Sequence, residues 1–266
     1  MKLRRSITTV LAGAAAVLTT GGVAMATPST TYWTPATSDI QPYKVLHIGI
    51  DNYFTVGRKN ERSSLPTDVG LTIGVLPYDK LQLEVGIDLM EPSTDPIFLN
   101  AKLGTPEGAL FDGSPAFNIG VFNAGTDRKD ATKDGDGRTD YNIADVIIGK
   151  TLPYGLGRIH VGAYYGNPKA LVDKNGDKEN TGFMVGWDMG IMREKEHDGG
   201  EYHKWVFAAD YASGKNAIGG GGAGVYHYFT RNISLLFGPV WYNEPSVVGV
   251  NGSAKYVWTT QIDINY

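Results

Sequence analysis

Acidic side chains recur at every second position within apolar stretches of this sequence, and they are the groups whose type and spacing could do chemistry. The polar side of that alternation carries Asp51, Asp68, Glu84, Asp88, Asp145, Asp188, Asp210 and Asp263. Basic groups on the same side are fewer: Lys102, Arg158, Lys204 and Lys255, together with His160. A confined space with low-dielectric walls and one predominant sign of charge concentrates ions of the opposite sign. The pattern therefore predicts attraction of cations.

A two-residue period must position these groups, because successive side chains of a β-strand point to opposite faces. The clearest case is the stretch 69–89, where aliphatic and polar residues alternate on both sides of a turn at 77–80. Similar stretches continue to the end of the chain and predict twelve antiparallel strands. Each is near the length of about 9–11 residues that a tilted strand needs to cross a bilayer. The connections are expected to alternate between long and short, with 105–115 and 193–203 as long exceptions.

The first 26 residues have the features of an export signal. Lys2, Arg4 and Arg5 precede a short apolar run, and Ala24-Met25-Ala26 forms a small-x-small cleavage site. Residues 27–42 contain several prolines and no clear period. This segment could be an ordered tail, a periplasmic extension or a segment inside a lumen. The predicted domains are a signal peptide at 1–26, this proline-rich segment at 27–42 and a barrel at 43–266.

The last strand gives the most specific signal. Residues 255–266 read KYVWTTQIDINY, with Tyr256, Trp258, Ile262, Ile264 and Tyr266 on one side. This strand resembles the closing strand of Gram-negative outer-membrane β-barrels, which ends on an aromatic residue. It is expected to pair with the first strand, within 43–55. Aromatic residues near strand ends are expected to form the interfacial girdles of such a barrel, and they include Tyr53, Tyr78, Tyr165, Tyr228 and Trp241.

The resemblance implies an all-β fold, an antiparallel up-and-down transmembrane β-barrel of the small porin-like class. It also implies a location in the Gram-negative outer membrane, with lipid and lipopolysaccharide as surroundings. The barrel-assembly machinery would recognise the C-terminal strand. A closed barrel is required because an open sheet edge is not tolerated in hydrocarbon.

The polar face of such a barrel lines its lumen, so the acidic groups predict a narrow channel for ions or small solutes that prefers cations. The predicted pore-lining residues are Asp51, Asp68, Glu84, Asp88, Lys102, Arg158, His160, Asp188, Asp210 and Asp263. Alternatively, acids and bases pair across the lumen and plug it, which would make a structural or adhesive barrel that acts through its outer loops. Glycines on the same face admit close approach of backbone or an aromatic ring.

Two loops carry oxygen-rich clusters that predict weak calcium binding. Asp134, Asp136 and Asp140 lie in DGDGRTD, which resembles the calcium turns of thrombospondin-type repeats. Asp173, Asn175 and Asp177 lie in DKNGD, which resembles the first half of an EF-hand loop. Both depart from their patterns: Thr132 stands where a leading Asp belongs, and Lys178 replaces a Gly. The alternative is ordinary polar loop composition.

Other function classes are disfavoured. The full chain has a net charge of −4 and becomes more acidic without its basic signal segment, which argues against nucleic acid as a partner. It contains no cysteine, so no disulfide holds the fold. The five histidines lack a serine or aspartate at a spacing typical of hydrolases. The chain is therefore predicted not to be an enzyme and to need no cofactor.

Overall fold

The computed structural model describes residues 32–56, 66–91, 96–125, 127–128, 138–248 and 256–266. In these residues the chain forms twelve strands: β1 (Leu46–Phe54), β2 (Thr67–Gly74), β3 (Gln82–Glu91), β4 (Ile97–Thr105), β5 (Ala116–Ala124), β6 (Asp140–Thr151), β7 (Arg158–Tyr165), β8 (Thr181–Lys195), β9 (Glu201–Ala212), β10 (Gly220–Thr230), β11 (Ile233–Tyr242) and β12 (Tyr256–Asn265). Short 3₁₀ turns follow β6 at Pro153–Gly155 and β11 at Pro245–Val248. Among the described residues, no helix is long and apolar enough to cross a membrane.

Each strand pairs antiparallel with the next, and β1 pairs with β12 to close the barrel. The closing register aligns His47 with Asn265 and Phe54 with Trp258. The predicted strand number, antiparallel topology and closure by the terminal strand are therefore confirmed. Closure leaves no free edge, so the backbone hydrogen bonds of every strand are satisfied within the sheet.

Apolar and polar side chains occupy the two faces of the sheet in the reverse of the arrangement in a soluble protein. Aliphatic side chains point outward and stay exposed, for example Leu99 at 52% and Val161 at 50%. Polar side chains point inward and are buried, for example Asp210 at 3% and Gln261 at 2%. Charged residues are rarely buried in soluble proteins, whereas an apolar exterior with a polar interior is the pattern of membrane barrels. The chain therefore has the architecture of a membrane-spanning β-barrel, as the terminal strand predicted.

Two of the expected girdle aromatics point into the barrel instead. Tyr53 is 9% exposed and Tyr228 is 6% exposed, and both pack in an interior cluster with Tyr32, Tyr226 and other buried residues. Their positions in sequence lie near strand ends, but the two-residue period places them on the inner face. Tyr78, Tyr165, Trp241 and Tyr266 are exposed, at 37% or more.

The connections differ in length between the two ends of the barrel. Residues 75–81, 152–157 and 231–232 form short turns after even-numbered strands. The connection predicted as long at 193–203 is short, because β8 extends to Lys195 and β9 begins at Glu201. The long 105–115 connection is present as residues 106–115 between β4 and β5.

Residues 32–42 run inside the barrel, and we call them the inner segment. Tyr32 is 0% exposed, Ala36 is 1% exposed and Gln41 is 5% exposed, although these residues belong to no strand. Of the three placements that the sequence leaves open for 27–42, the structure shows the one inside the lumen for residues 32–42. Residues 27–31 and the predicted signal peptide at 1–26 lie outside the described residues.

Candidate functional site in the barrel lumen

The inner segment begins at a site built by the last strands and β1. Asp210 on β9 accepts hydrogen bonds from the backbone N–H groups of Tyr32 and Trp33, the latter at 3.0 Å. The carbonyl of Tyr32 accepts hydrogen bonds from the Tyr53 hydroxyl at 3.0 Å and the Gln261 amide at 3.1 Å. A buried charge that receives backbone N–H donors is stabilised in place. Asp210 therefore anchors the inner segment.

An ion pair and two lysine contacts hold the middle of the inner segment. Arg158 on β7 donates two hydrogen bonds of 2.7 Å to the Asp39 carboxylate, and its third nitrogen donates to Asp188 at 3.1 Å. The Lys102 ammonium donates to the carbonyls of Thr37 at 3.4 Å and Asp39 at 3.2 Å. The two-point arginine–carboxylate contact is the strong, geometrically specific form of this interaction.

The last turn of the inner segment contacts Glu84 on β3. The backbone N–H of Gln41 donates to the Glu84 carboxylate at 2.7 Å, and Lys102 lies 3.6 Å from its other oxygen. The Asn118 amide on β5 donates to the Thr37 carbonyl at 3.2 Å. The inner segment therefore crosses the lumen from β9 and β12 to β3, held by side chains of opposite walls.

Ser38, His160 and Asp188 are in the order of a hydrolase triad. The Ser38 Oγ lies 3.0 Å from His160 Nδ1, and His160 Nε2 lies 3.1 Å from Asp188. The Ser38 backbone N–H also donates to Nδ1 at 3.1 Å, so that nitrogen is an acceptor and Nε2 carries the proton given to Asp188. Ser38 and His160 are buried, at 6% and 2% exposure, and neither lines the lumen cavity described below. The arrangement fastens the inner segment, and nucleophilic attack would need access that it lacks.

Glycines on the inner face form the surface on which the inner segment lies. A Cβ at Gly186 would overlap the carbonyl oxygen of Ala36, and a Cβ at Gly222 would overlap the Tyr32 side chain. The same holds at Gly149 against Ser38 and at Gly74 against the carbonyls of Gln41 and Pro42. Close backbone approach, rather than a turn, explains these glycines. The predicted close approach is to the chain's own N-terminal segment.

Beside the inner segment lies a cavity of about 490 Å³, which we call the acidic cavity. Its lining reaches from Pro66, Glu91 and Arg138, at the end of the barrel with the longer loops, down to Thr72 and Lys102. Acidic side chains of the lining are Asp51, Asp68, Glu84, Asp88, Glu91, Asp145 and Asp263. Trp33 and Pro35 of the inner segment form part of one wall.

Four neighbouring strands each place one aspartate in this cavity. Asp51 on β1 is directly opposite Asp68 on β2, and Asp263 on β12 is opposite Gly49. The Asp88 carboxylate of β3 lies over Gly70, where a Cβ would come within 2.8 Å of its oxygen. The Nε2 atom of His47 lies 3.5 Å from the Asp263 carboxylate. Among the described residues, no Lys, Arg or His forms an ion pair with Asp51, Asp68 or Asp88.

The ten predicted pore-lining residues thus all lie on the inner face, but in two groups. Glu84, Lys102, Arg158, His160, Asp188 and Asp210 form the site of the inner segment through the contacts given above. The other four, Asp51, Asp68, Asp88 and Asp263, line the acidic cavity and, among the described residues, form no ion pair with that segment. Their role in conduction stays a prediction. Sequence reasoning missed Ser38, Asp39 and His47; an acid among the prolines of 27–42 was the available signal for Asp39.

The calcium clusters are only partly described. Asp134 and Asp136 lie outside the described residues. Both carboxylate oxygens of Asp140 accept hydrogen bonds from Arg138, at 2.9 and 2.7 Å. Asp173 accepts the backbone N–H groups of Asn175 at 2.8 Å and Asp177 at 2.9 Å. Within the described part of the chain, no three His, Cys, Asp or Glu side chains are close enough to hold a metal ion. Calcium binding stays a prediction.

No protein-family model matches the chain, and no curated protein matches it. Among solved structures, the NanC porin has 10% sequence identity and a TM-score of 0.44, covering 83% of this chain and 98% of that one. An outer membrane channel from Pseudomonas putida F1 has 11% identity and a TM-score of 0.48, covering 90% and 100%. OmpF of Salmonella typhi in complex with daunomycin has 11% identity and a TM-score of 0.39, covering 84% and 96%. Similarity this low does not bear on the function of the chain, which depends on the contacts of its own lumen.

Proposed function

We propose that this protein is an outer-membrane channel for the passive diffusion of ions or small solutes. The observation that carries the proposal is the acidic cavity beside the inner segment, within a closed barrel whose exterior is apolar. Exposed aliphatic side chains on all sides of a closed sheet favour lipid as the surrounding phase. The proposed surroundings are outer-membrane lipid and lipopolysaccharide, and the C-terminal strand is the proposed contact for the barrel-assembly machinery.

Cation preference is the finer part of the proposal. No described basic residue forms an ion pair with Asp51, Asp68 or Asp88, so these carboxylates give the cavity a negative potential wherever they are ionised. Low-dielectric walls strengthen that potential, because the field is not screened by bulk water. Cations are therefore concentrated in the cavity and anions are excluded from it.

Planar-bilayer recording of the refolded mature protein tests both parts. We expect small discrete conductance steps and a reversal potential in a KCl gradient that favours K⁺. Asp68→Asn should shift the reversal potential toward zero, whereas Asp112→Asn, in the exposed 106–115 connection, is the matched control and should not. Silence at all voltages would exclude the channel, and anion preference would exclude the acidic lumen.

A second candidate is a non-conducting barrel that acts through its outer loops. The inner segment favours it, since residues 32–42 cross the lumen and bind both walls. The same recordings separate the two candidates when a chain lacking residues 32–42 is included. A silent full-length protein and a conducting deletion variant would identify a permanently plugged barrel.

A further inference from the structure

The acidic cavity, proposed above as part of a channel, is also large enough to be a binding site for a small ligand. A volume of about 490 Å³ is within the range of pockets that enclose small organic ligands, about 300–1,000 Å³. Its wall includes Trp33 of the inner segment, so the cavity exists in this shape only while that segment is in place. A ligand here would touch both the barrel and the inner segment.

Three carboxylates of the cavity, those of Asp51, Asp68 and Asp88, have no ion-pair partner among the described residues. Asp51 and Asp68 are paired across β1 and β2, an arrangement in which like charges repel and destabilise the sheet. The basic groups of the lining are engaged elsewhere: His47 with Asp263, Lys102 with Glu84 and carbonyls of the inner segment, and Arg138 with Asp140. A cation from outside the chain would remove this repulsion.

A second observation on another wall also indicates a cationic ligand. Asp145 on β6 lines the same cavity, is 9% exposed, and its Oδ1 has no hydrogen-bond partner. A buried carboxylate oxygen without a partner costs free energy unless something binds it. The Oδ1 of Asp68 is also buried without a partner.

The rest of the lining distinguishes an organic cation from a metal ion. In the described residues no three acidic or histidine side chains converge at metal-binding distance. Aromatic rings share the cavity instead. Trp33 and Tyr53 meet edge to face at 5.5 Å, and Phe98 and Tyr141 stack at 6.1 Å. Aromatic faces attract ammonium groups and pack against apolar bodies.

We infer that the acidic cavity is a binding site for an organic ammonium ion, with the ammonium group at Asp51, Asp68 and Asp88 and an apolar body against the aromatic rings. This inference deepens the proposed function by giving a substrate class for the same lumen. A solute of this class would bind transiently on its way through the barrel, as selective channels require.

Isothermal titration calorimetry on the refolded full-length protein in detergent tests the site with benzylammonium chloride. We expect saturable binding to the wild type and no saturable binding of benzyl alcohol, which has the same ring without the charge. The double variant Asp51→Asn/Asp68→Asn should bind at least about tenfold more weakly, since it loses charge-assisted contacts. Asp112→Asn is the control and should bind as the wild type does.

The thermal stability of the double variant shows whether weaker binding reflects loss of the binding site or loss of the fold. The double variant removes a repulsive pair, so its thermal unfolding temperature should equal or exceed that of the wild type. Equal binding of benzylammonium by the double variant and the control would overturn the inference, as would equal binding of benzyl alcohol. Bilayer recordings test the channel independently of the binding site. Binding without conductance leaves the site and rejects the channel, whereas K⁺-selective conductance without saturable binding leaves the channel and rejects the site.

Discussion

The two sides of the lumen use the same residue types for opposite purposes. On the side of the inner segment, Asp210 accepts two backbone N–H groups and Asp188 contacts Arg158 and His160. On the side of the cavity, Asp51 and Asp68 face each other without a basic partner among the described residues. All four are aspartates on the inner face of one sheet. What differs is whether residues 32–42 reach them, so an acidic lumen lining is here partly a docking surface for the chain itself.

Replacing Arg158 should have the largest effect on the difference between the side of the inner segment and the side of the cavity. Arg158→Met leaves Asp39 and Asp188 without their cation, and breaking such a pair costs about 2–3 kcal/mol at this partial exposure of 23% and 22%. We expect the inner segment to detach, so amide hydrogen exchange of residues 32–42 should accelerate and the conductance should rise. Arg193→Met is the control, because its side chain is 67% exposed and pairs loosely with Glu201. Unchanged exchange in residues 32–42 would show that the ion pair does not hold the segment.

Replacing one glycine by alanine on each side of the lumen should have the second-largest difference in effect. Gly186→Ala would place its Cβ against the Ala36 carbonyl, and overpacking of this kind costs about 1–3 kcal/mol. Gly49→Ala meets nothing closer than the His47 ring at 3.5 Å and should be tolerated. Hydrogen exchange of residues 32–42 should increase only in the first variant. Equal effects of the two variants would mean that the inner-face glycines do not serve the segment.

Neutralising one aspartate on each side should change stability in opposite directions. Asp210→Asn weakens the anchor of Tyr32 and Trp33 and should lower the free energy of unfolding by about 1–2 kcal/mol. Asp51→Asn relieves its repulsion with Asp68 and should raise it by about 0.2–1 kcal/mol. Urea unfolding of both variants in detergent measures the difference. A loss of stability in Asp51→Asn would reveal a stabilising partner for that carboxylate.

The smallest effect on stability is expected at Asp198, a hydrogen-bonded carboxylate outside the lumen. It gives a reference for the aspartates on both sides of the lumen. The Gly200 backbone N–H donates to Asp198, and this hydrogen bond, with Arg231, lowers the pKa of Asp198 below its ordinary 3.8. The ionised form is therefore favoured by folding, and its contribution is present above pH 3.8 and is lost as the pH falls through the lowered pKa. Amide exchange of Gly200 should accelerate over that range in the wild type and show no such step in Asp198→Asn. A step at the same pH in both proteins would assign it to another group.

Much of the barrel could be predicted because its information is local. The alternation in residues 255–266 divides the side chains between two faces of the strand, and in a membrane barrel the apolar face is the one that meets lipid. The β8–β9 connection was predicted too long because Arg193 to Lys195 are charged or polar and lack apolar alternation, yet they continue the ladder opposite Glu201 to His203. Backbone hydrogen bonds extend β8 and β9 beyond the residues whose apolar alternation indicates a strand.

The inner segment could not be placed from sequence because the contacts that hold it to the barrel wall join residues far apart in the chain. Ser38 meets His160, and Tyr32 meets Asp210 and Gln261, across more than a hundred residues of chain. Residues 32–42 have no period that indicates a buried face, and several of their neighbours on the barrel wall are glycines, which carry no side-chain signal. Only the spacing of lumen glycines indicated that something lies close to the wall.

The carbonyl of Tyr32 has a consequence for how the barrel matures. Its two donors, Tyr53 and Gln261, belong to β1 and β12, the first and last strands, whose pairing closes the sheet into a cylinder. The inner segment is continuous with β1, so it enters the lumen attached to one side of that seam. While the seam is open, Tyr32 lacks at least one of its donors. The β1–β12 pairing that closes the cylinder therefore also brings together the two donors that hold the Tyr32 carbonyl.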